Sequence, residues 1–244
     1  MRKSALVRTV LPILEKRYGV PRRMARFDPM EELVSCILSQ HTTDAASFPA
    51  FARLMAHFGT WEAIAEAPVE EVANVIRRAG LANQKARSIQ GALRAIRARY
   101  GDYHLEPLRD MPLAQARAWL EELQGVGPKT ASIVLCFSFG KGAIPVDTHV
   151  FRVAKRIGIL DASATEAKAH DLLLKIVPAE MAFAFHVLLI QHGRVVCRAP
   201  NPRCDECPIT EHCRWYRSLR GKENADRGRK AAPRAAKSGK HGGR

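Results

Sequence analysis

The 244-residue sequence has no apolar run approaching the roughly 18 to 20 residues that span a bilayer, and its N-terminal apolar stretch is broken by Arg8 and followed by Glu15, Lys16 and Arg17. A soluble protein without a secretory signal is expected. Strand grammar is missing too. No Asn-Gly or Asp-Gly pair marks a hairpin, and no sustained alternation of apolar and polar residues marks a strand. Internal repeats are absent. Acidic residues are scarce, 24 against 39 Lys and Arg, and the resulting net charge of +15 suggests a polyanionic partner.

The distribution of that charge matters more than its sum. From Arg217 onward ten Lys and Arg stand against Glu223 and Asp226, a net of +8, which leaves +7 on the body of the chain. Almost no large apolar residue follows Leu219, and a segment rich in Gly, Ala, Lys and Arg cannot bury enough surface to fold. Residues 217–244 are therefore expected to form a disordered basic tail, as a solubilising extension or a DNA tether.

Helix grammar recurs throughout. In "APVEEVANVIRRAGL", Pro68 suits a first helical position, Glu70 and Glu71 complement the positive helix end, Arg77 and Arg78 the negative end, and Gly80 a left-handed stop. Val69, Val72, Ala73 and Ile76 share one face, as do Leu33, Val34, Ile37 and Leu38 earlier. Similar patterns cover 11–17, 51–58, 86–100, 114–123, 129–138, 148–157, 166–176 and 180–191. The fold class is all-α with about ten helices, and Gly- or Pro-bearing loops near 101–112 and 140–146 are candidate seams.

The stretch "LQGVGPKTASIVL" reads as helix, tight hairpin, helix. Gly125 and Gly127 permit backbone conformations and approaches that a Cβ would obstruct, and Pro128 suits the first position of a new helix. The free amides of such a helix start can bind a phosphate. Lys129 follows directly, in the first turn, where the helix dipole disfavours an ammonium by about 0.3–1 kcal/mol. A free lysine amine is a nucleophile towards carbon and forms Schiff bases. A lysine beside a phosphate site is more often a phosphate ligand, and the hairpin alone favours that plainer reading.

In "AIPVDTHVFRVAKRIGI", Asp147 precedes the apolar pattern Val150, Val153, Ala154, Ile157 and suits an N-cap, worth about 1 kcal/mol. A helix from Lys129 to about Ser138 would be about 14 Å long, and the extended residues after it can retrace that distance. Asp147 can thus return to Lys129, where a carboxylate could pair with the amine, stabilise a developing cation or steer a proton.

Cys197, Cys204, Cys207 and Cys213 form C-x6-C-x2-C-x5-C within 17 residues, in "CRAPNPRCDECPITEHC". Without a secretory signal a disulfide framework is not expected, and four thiolates in one short loop can enclose a metal. Spacing leaves tetrahedral zinc and a four-iron cluster both open. Cys36 and Cys136 lie on apolar helical faces and are expected in the core.

Together "LQGVGPKTA", "VDTH" and the cysteine loop resemble the endonuclease III family of helix-hairpin-helix DNA glycosylases, over about residues 25 to 213. The resemblance implies that Lys129 is the catalytic nucleophile and Asp147 the catalytic aspartate, and that the four cysteines hold one [4Fe-4S] cluster. It implies removal of oxidised pyrimidines and cleavage of abasic sites in double-stranded DNA, by attack of Lys129 at the sugar C1′, an imine, and β-elimination. A buried base must first be flipped out, at a cost of a few kcal/mol. Gly125, Val126, Gly127 and Thr130 would grip the backbone. "LSQHTTD" and "AGLANQKARSI" resemble the DNA-facing loops, with His41 and Leu81 inserted into the duplex and Lys85 among the contacts. The family commonly has glutamine where His41 stands and a basic residue where Asn201 stands; Arg198 and Arg203 could reach phosphates. The adenine mismatch glycosylases share the cysteine spacing but typically lack the hairpin lysine and carry a further C-terminal domain. Other readings are a monofunctional or mismatch-directed glycosylase and a non-catalytic DNA-binding module. The implied organisation is a helical domain over 29–143 and a cluster domain built from 1–28 and 144–216, in a monomer. The implied setting is bacterial and cytoplasmic, at the nucleoid.

Overall fold

The structure is a computed structural model that describes residues 2–23 and 27–221. Among these residues it contains helices and no strand, as the missing strand grammar predicts. The α-helices are α1 (Lys3–Tyr18), α2 (Pro29–Ser39), α3 (Asp44–Phe58), α4 (Trp61–Glu66), α5 (Val69–Val75), α6 (Ala82–Tyr100), α7 (Leu113–Glu122), α8 (Pro128–Ile133), α9 (Thr148–Ile157), α10 (Glu166–Ile176) and α11 (Ala182–Val195).

Local chemistry sets several boundaries. Asp28 caps α2, its carboxylate accepting from the amides of Met30 and Glu31 at 2.8 and 2.9 Å, while Glu31 accepts from the amide of Asp28 at 3.0 Å. This reciprocal box satisfies donors that a helix start otherwise leaves open. The pattern that predicts one helix over 68–79 is divided in the structure. α5 stops at Val75, and a 3-10 turn over Arg77–Ala79 leads to Gly80 at φ 71° and Leu81 at φ 49°. The helix expected over 129–138 widens after α8 into a π-helical turn, Val134–Ser138. Residues 214–221 are helical, so 217–221 belong to ordered structure rather than to the expected tail. The remainder of that tail lies outside the described residues.

Buried apolar side chains form two clusters. One runs from Met30 to Ala143 and includes Leu33, Ile37, Leu54, Ile89, Leu93, Leu120 and Val134. The other joins Val7, Val10, Leu11 and Leu14 of α1 to Ile144, Val150, Val153, Phe185, Leu188 and Ile209. The chain crosses from one cluster to the other at Ala143–Ile144, three residues before Asp147. Cys36 and Cys136 are both buried.

Candidate active site

α7 ends at Glu122, and the extended backbone of Leu123 starts the turn into α8. Gly125 has φ +79°, and a Cβ there would stand 2.4 Å from Ser88 Oγ, so glycine is required both for the turn and for its approach to α6. Gly127 precedes α8 with no side-chain cap, and Pro128 takes the first helical position. Among the described residues no hydrogen bond engages the amides of Gly125 and Gly127. The hairpin therefore offers open donors at the positive end of a helix.

Val126 and Thr130 behave differently from the other hairpin residues. The amide of Val126 donates to the carbonyl of Leu123 at 3.0 Å, and its side chain is buried. Thr130 is buried as well, with Oγ1 3.5 Å from Gln40 Nε2. Both side chains shape the hairpin from within. Lys129 is exposed, and no hydrogen bond or ion pair engages its ammonium among the described residues. It is free to meet a ligand.

Asp147 is the N-cap of α9, its Oδ1 accepting from the amide of Val150 at 2.7 Å. The segment before it, Ile144–Val146, is buried and suspended from two imidazoles. His170 Nδ1 donates to the Ile144 carbonyl at 3.1 Å, and His186 Nδ1 to the Pro145 carbonyl at 2.9 Å. A carbonyl can only accept, so both rings carry their proton on Nδ1. Burial pulls the pKa of His186 down to about 4, against the pull of the Pro145 carbonyl and the Asp147 carboxylate; the charge of Lys129 pushes it further down. Asp147 and Lys129 thus both lie within electrostatic reach of one buried, neutral ring. His186 is the residue that sequence reasoning passes over. Its only trace is a lone histidine in the apolar run "AFAFHVLL".

Three non-glycine residues adopt positive φ among the described residues: His41 at 52°, Leu81 at 49° and Asn201 at 48°. Such a conformation is uncommon for any of them and an outlier for leucine. His41 and Leu81 are both exposed, Leu81 by 53%, at the corners before α3 and α6. Neither corner is explained by burial of its side chain. Lys85, expected to contact DNA, instead lies inside the protein at 3% exposure, with Nζ donating to the carbonyls of Leu38 and Ala79 at 2.7 Å each. Its long stem carries the ammonium inward from the first turns of α6, and desolvation lowers its pKa.

The cysteine loop folds back on α9 and α11. Cys197, Cys204, Cys207 and Cys213 line one cavity with Ile157, His192 and Ile209. Burial pushes the Cys207 thiol up to about 11, and the other three sulfurs add to the effect. Cys204 and Cys213 shift the same way, chiefly by burial. Thiolates that repel one another in a partly dry cavity are a donor set that a cationic centre would stabilise. Among the described residues no three His, Cys, Asp or Glu side chains converge as the ligands of one metal ion. The four cysteines line one cavity. Arg156 spans the loop, donating to Cys197 Sγ at 3.5 Å and to the carbonyls of Arg198 and Ala199 at 2.6 and 2.8 Å. Arg198 is exposed, whereas Arg203 is paired with Glu206 at 2.6 Å.

This arrangement has close counterparts. Residues 34–179 match the HhH-GPD superfamily of base excision DNA repair proteins. Endonuclease III of Thermotoga maritima is 34% identical over 202 residues, covering 83% of this chain and 90% of its own length. Endonuclease III of Escherichia coli K12 is 38% identical over 187 residues, covering 77% and 84%. A solved structure of a trapped endonuclease III–DNA covalent intermediate, an estranged-adenine complex, superposes with TM-score 0.75 at 32% identity, over 90% of this chain and 100% of that one. A superfamily match across the hairpin and identities above 30% over most of both chains leave one assignment: the chain belongs to the HhH-GPD superfamily and, within it, to the endonuclease III family.

Proposed function

We infer that the protein is a base-excision repair DNA glycosylase with AP lyase activity, acting on oxidised pyrimidines and abasic sites in duplex DNA through Lys129. The observation that carries this reading is an exposed, unpaired lysine in the first turn of an uncapped helix. It shares the electrostatic surroundings of a buried imidazole with Asp147. The hairpin amides of Gly125 and Gly127 grip a phosphate, which sets the sugar against the lysine amine. The amine attacks C1′, the C1′–base bond breaks, and the base leaves with the electron pair. Loss of the amine proton and opening of the C1′–O4′ bond give the imine. Removal of a C2′ proton then expels the 3′ phosphate and cuts the strand.

Asp147 stands where a carboxylate stabilises the positive charge that grows on the sugar as the base departs. Its bond to the Val150 amide and the two histidine-held carbonyls before it fix that carboxylate in direction. The preference for oxidised pyrimidines, and action as a monomer, belong to the same proposal. They rest on kinship with endonuclease III, and the exposed His41 and Leu81 corners support the extrusion step.

The four cysteines would hold a [4Fe-4S] cluster. All four cysteines line one cavity, a donor set fit for a [4Fe-4S] cluster or for one zinc ion, and kinship with endonuclease III favours the cluster. When bound, such a cluster supplies rigidity to the loop carrying Arg198; glycosylase chemistry requires no electron from it. Yellow-brown purified protein is expected, and colourless zinc-loaded protein would refute the assignment.

The deciding experiment is borohydride trapping on abasic and lesion-bearing duplexes, with strand cleavage scored before and after alkali. The wild type should trap and cut before alkali, and Lys129→Ala should bind DNA without trapping. Cleavage only after alkali would indicate a monofunctional glycosylase. Binding with neither product would indicate a DNA-binding module.

A further inference from the structure

Lys85 carries an inference that rests on the glycosylase reading and deepens it. Its ammonium sits 2.7 Å from the carbonyls of both Leu38 and Ala79. Leu38 lies in the last turn of α2, three residues before His41. Ala79 ends the 3-10 turn, two residues before Leu81. The main-chain amide of Lys85 donates to the Leu81 carbonyl at 2.9 Å. One residue therefore joins the two corners at which exposed side chains adopt left-handed backbone.

The choice of lysine is costly for folding alone. A buried ammonium loses its hydration, and among the described residues no carboxylate offsets the loss here: both acceptors are main-chain carbonyls. An apolar side chain of similar length would fill the same space without that desolvation, at the expense of the donor that both carbonyls now have. Strained backbone persists only where its surroundings over-determine it, and Lys85 supplies that constraint to both corners. Gln40 continues the connection, donating to the Gly125 carbonyl at 2.8 Å and so tying the His41 corner to the hairpin that carries Lys129.

We propose that Lys85 is a positioning residue that never touches DNA: it fixes the His41 and Leu81 corners relative to each other and to the hairpin, so that both side chains enter a duplex together as a nucleotide is turned out. A site preset in this way speeds reaction only where extrusion is needed. On a substrate that is already unpaired the brace is idle.

The test uses the full-length holoprotein and compares borohydride trapping rates on one abasic oligonucleotide, fully paired and single-stranded. Lys85→Met keeps length and removes the ammonium. The paired substrate should lose at least about ten-fold in rate, while the single strand stays within about two-fold. An equal fall on both would show a general structural role, and no fall on either would show no role; each outcome overturns the proposal. If Lys85→Met does not fold, as read by circular dichroism, Lys85→Gln is read by the same paired-to-single-strand ratio. Wild-type protein that traps neither substrate would defeat the glycosylase reading itself, a result distinct from loss of the ratio.

Discussion

The side-chain amide of Gln40 donates to the carbonyl oxygen of Gly125 at 2.8 Å, bridging the end of α2 to the glycine hairpin 85 residues later. This bond holds the hairpin in register with the His41 corner. Gln40→Leu preserves bulk and removes the donor. It should lower stability by about 0.5–1.5 kcal/mol, the usual net worth of such a bond. DNA affinity should weaken by more than that loss implies, because the open Gly125 and Gly127 amides move with the hairpin. Urea denaturation alongside titration of an abasic-site duplex at fixed salt measures both quantities.

Asp147 caps α9 and, in the proposed reaction, stabilises the charged sugar, two tasks that substitution can separate. Its carboxylate caps α9 through Val150, and asparagine caps a helix about as well as aspartate. Asp147→Asn should therefore stay within about 0.5 kcal/mol of wild-type stability, while its excision rate falls by about 10²-fold because the charge facing the sugar is gone. Asp147→Ala should show the same catalytic loss and an added destabilisation of about 1 kcal/mol. Equal activity in the wild type and Asp147→Asn would assign the residue to capping alone.

Leu81 has an exposed side chain and a backbone that glycine would adopt more readily. Leu81→Gly removes a large apolar group, yet its folded stability should be unchanged or raised by up to about 1 kcal/mol as the left-handed strain is relieved. Excision from paired duplex should fall, since the wedge is missing. Thermal melting combined with single-turnover excision distinguishes this from a core contact, which would lose stability along with activity.

Much of this is legible in the residues because it rests on local rules. Asp147 reads as an N-cap from the apolar spacing behind it, and Gly125 and Gly127 read as a hairpin from the proline that follows. The break between α5 and the 3-10 turn is not legible. The run Val69–Ile76 continues an apolar face into Arg77 and Arg78, and nothing in that pattern records the tertiary bond from Lys85 to Ala79 that meets the turn. Lys85 misleads for the same reason. A lysine in a basic, DNA-facing stretch reads as a surface contact, and only the folded chain reveals the two carbonyls that take its ammonium, one of them 47 residues away. His186 offers no spacing at all, because its partner Pro145 lies 41 residues away.

His186 also sets a dependence of stability on acidity. Its pKa is held down to about 4 by burial, against about 6.5 for an unfolded histidine. Between these values the unfolded chain binds a proton that the native ring refuses, so stability falls as the pH drops. The contribution is fully present above about pH 6.5 and is lost through the folded value near 4, with a limiting slope of about 1.4 kcal/mol per pH unit for one group. His170 is shifted in the same direction by burial and adds to the trend. His186→Asn retains a donor for the Pro145 carbonyl but does not titrate. Urea midpoints from about pH 7.5 to 4.5 should therefore fall less steeply for this variant than for the wild type, by up to the slope of a single histidine. Parallel lines for the two proteins would show that the ring titrates alike in the native and unfolded states, so that its burial carries no pH dependence.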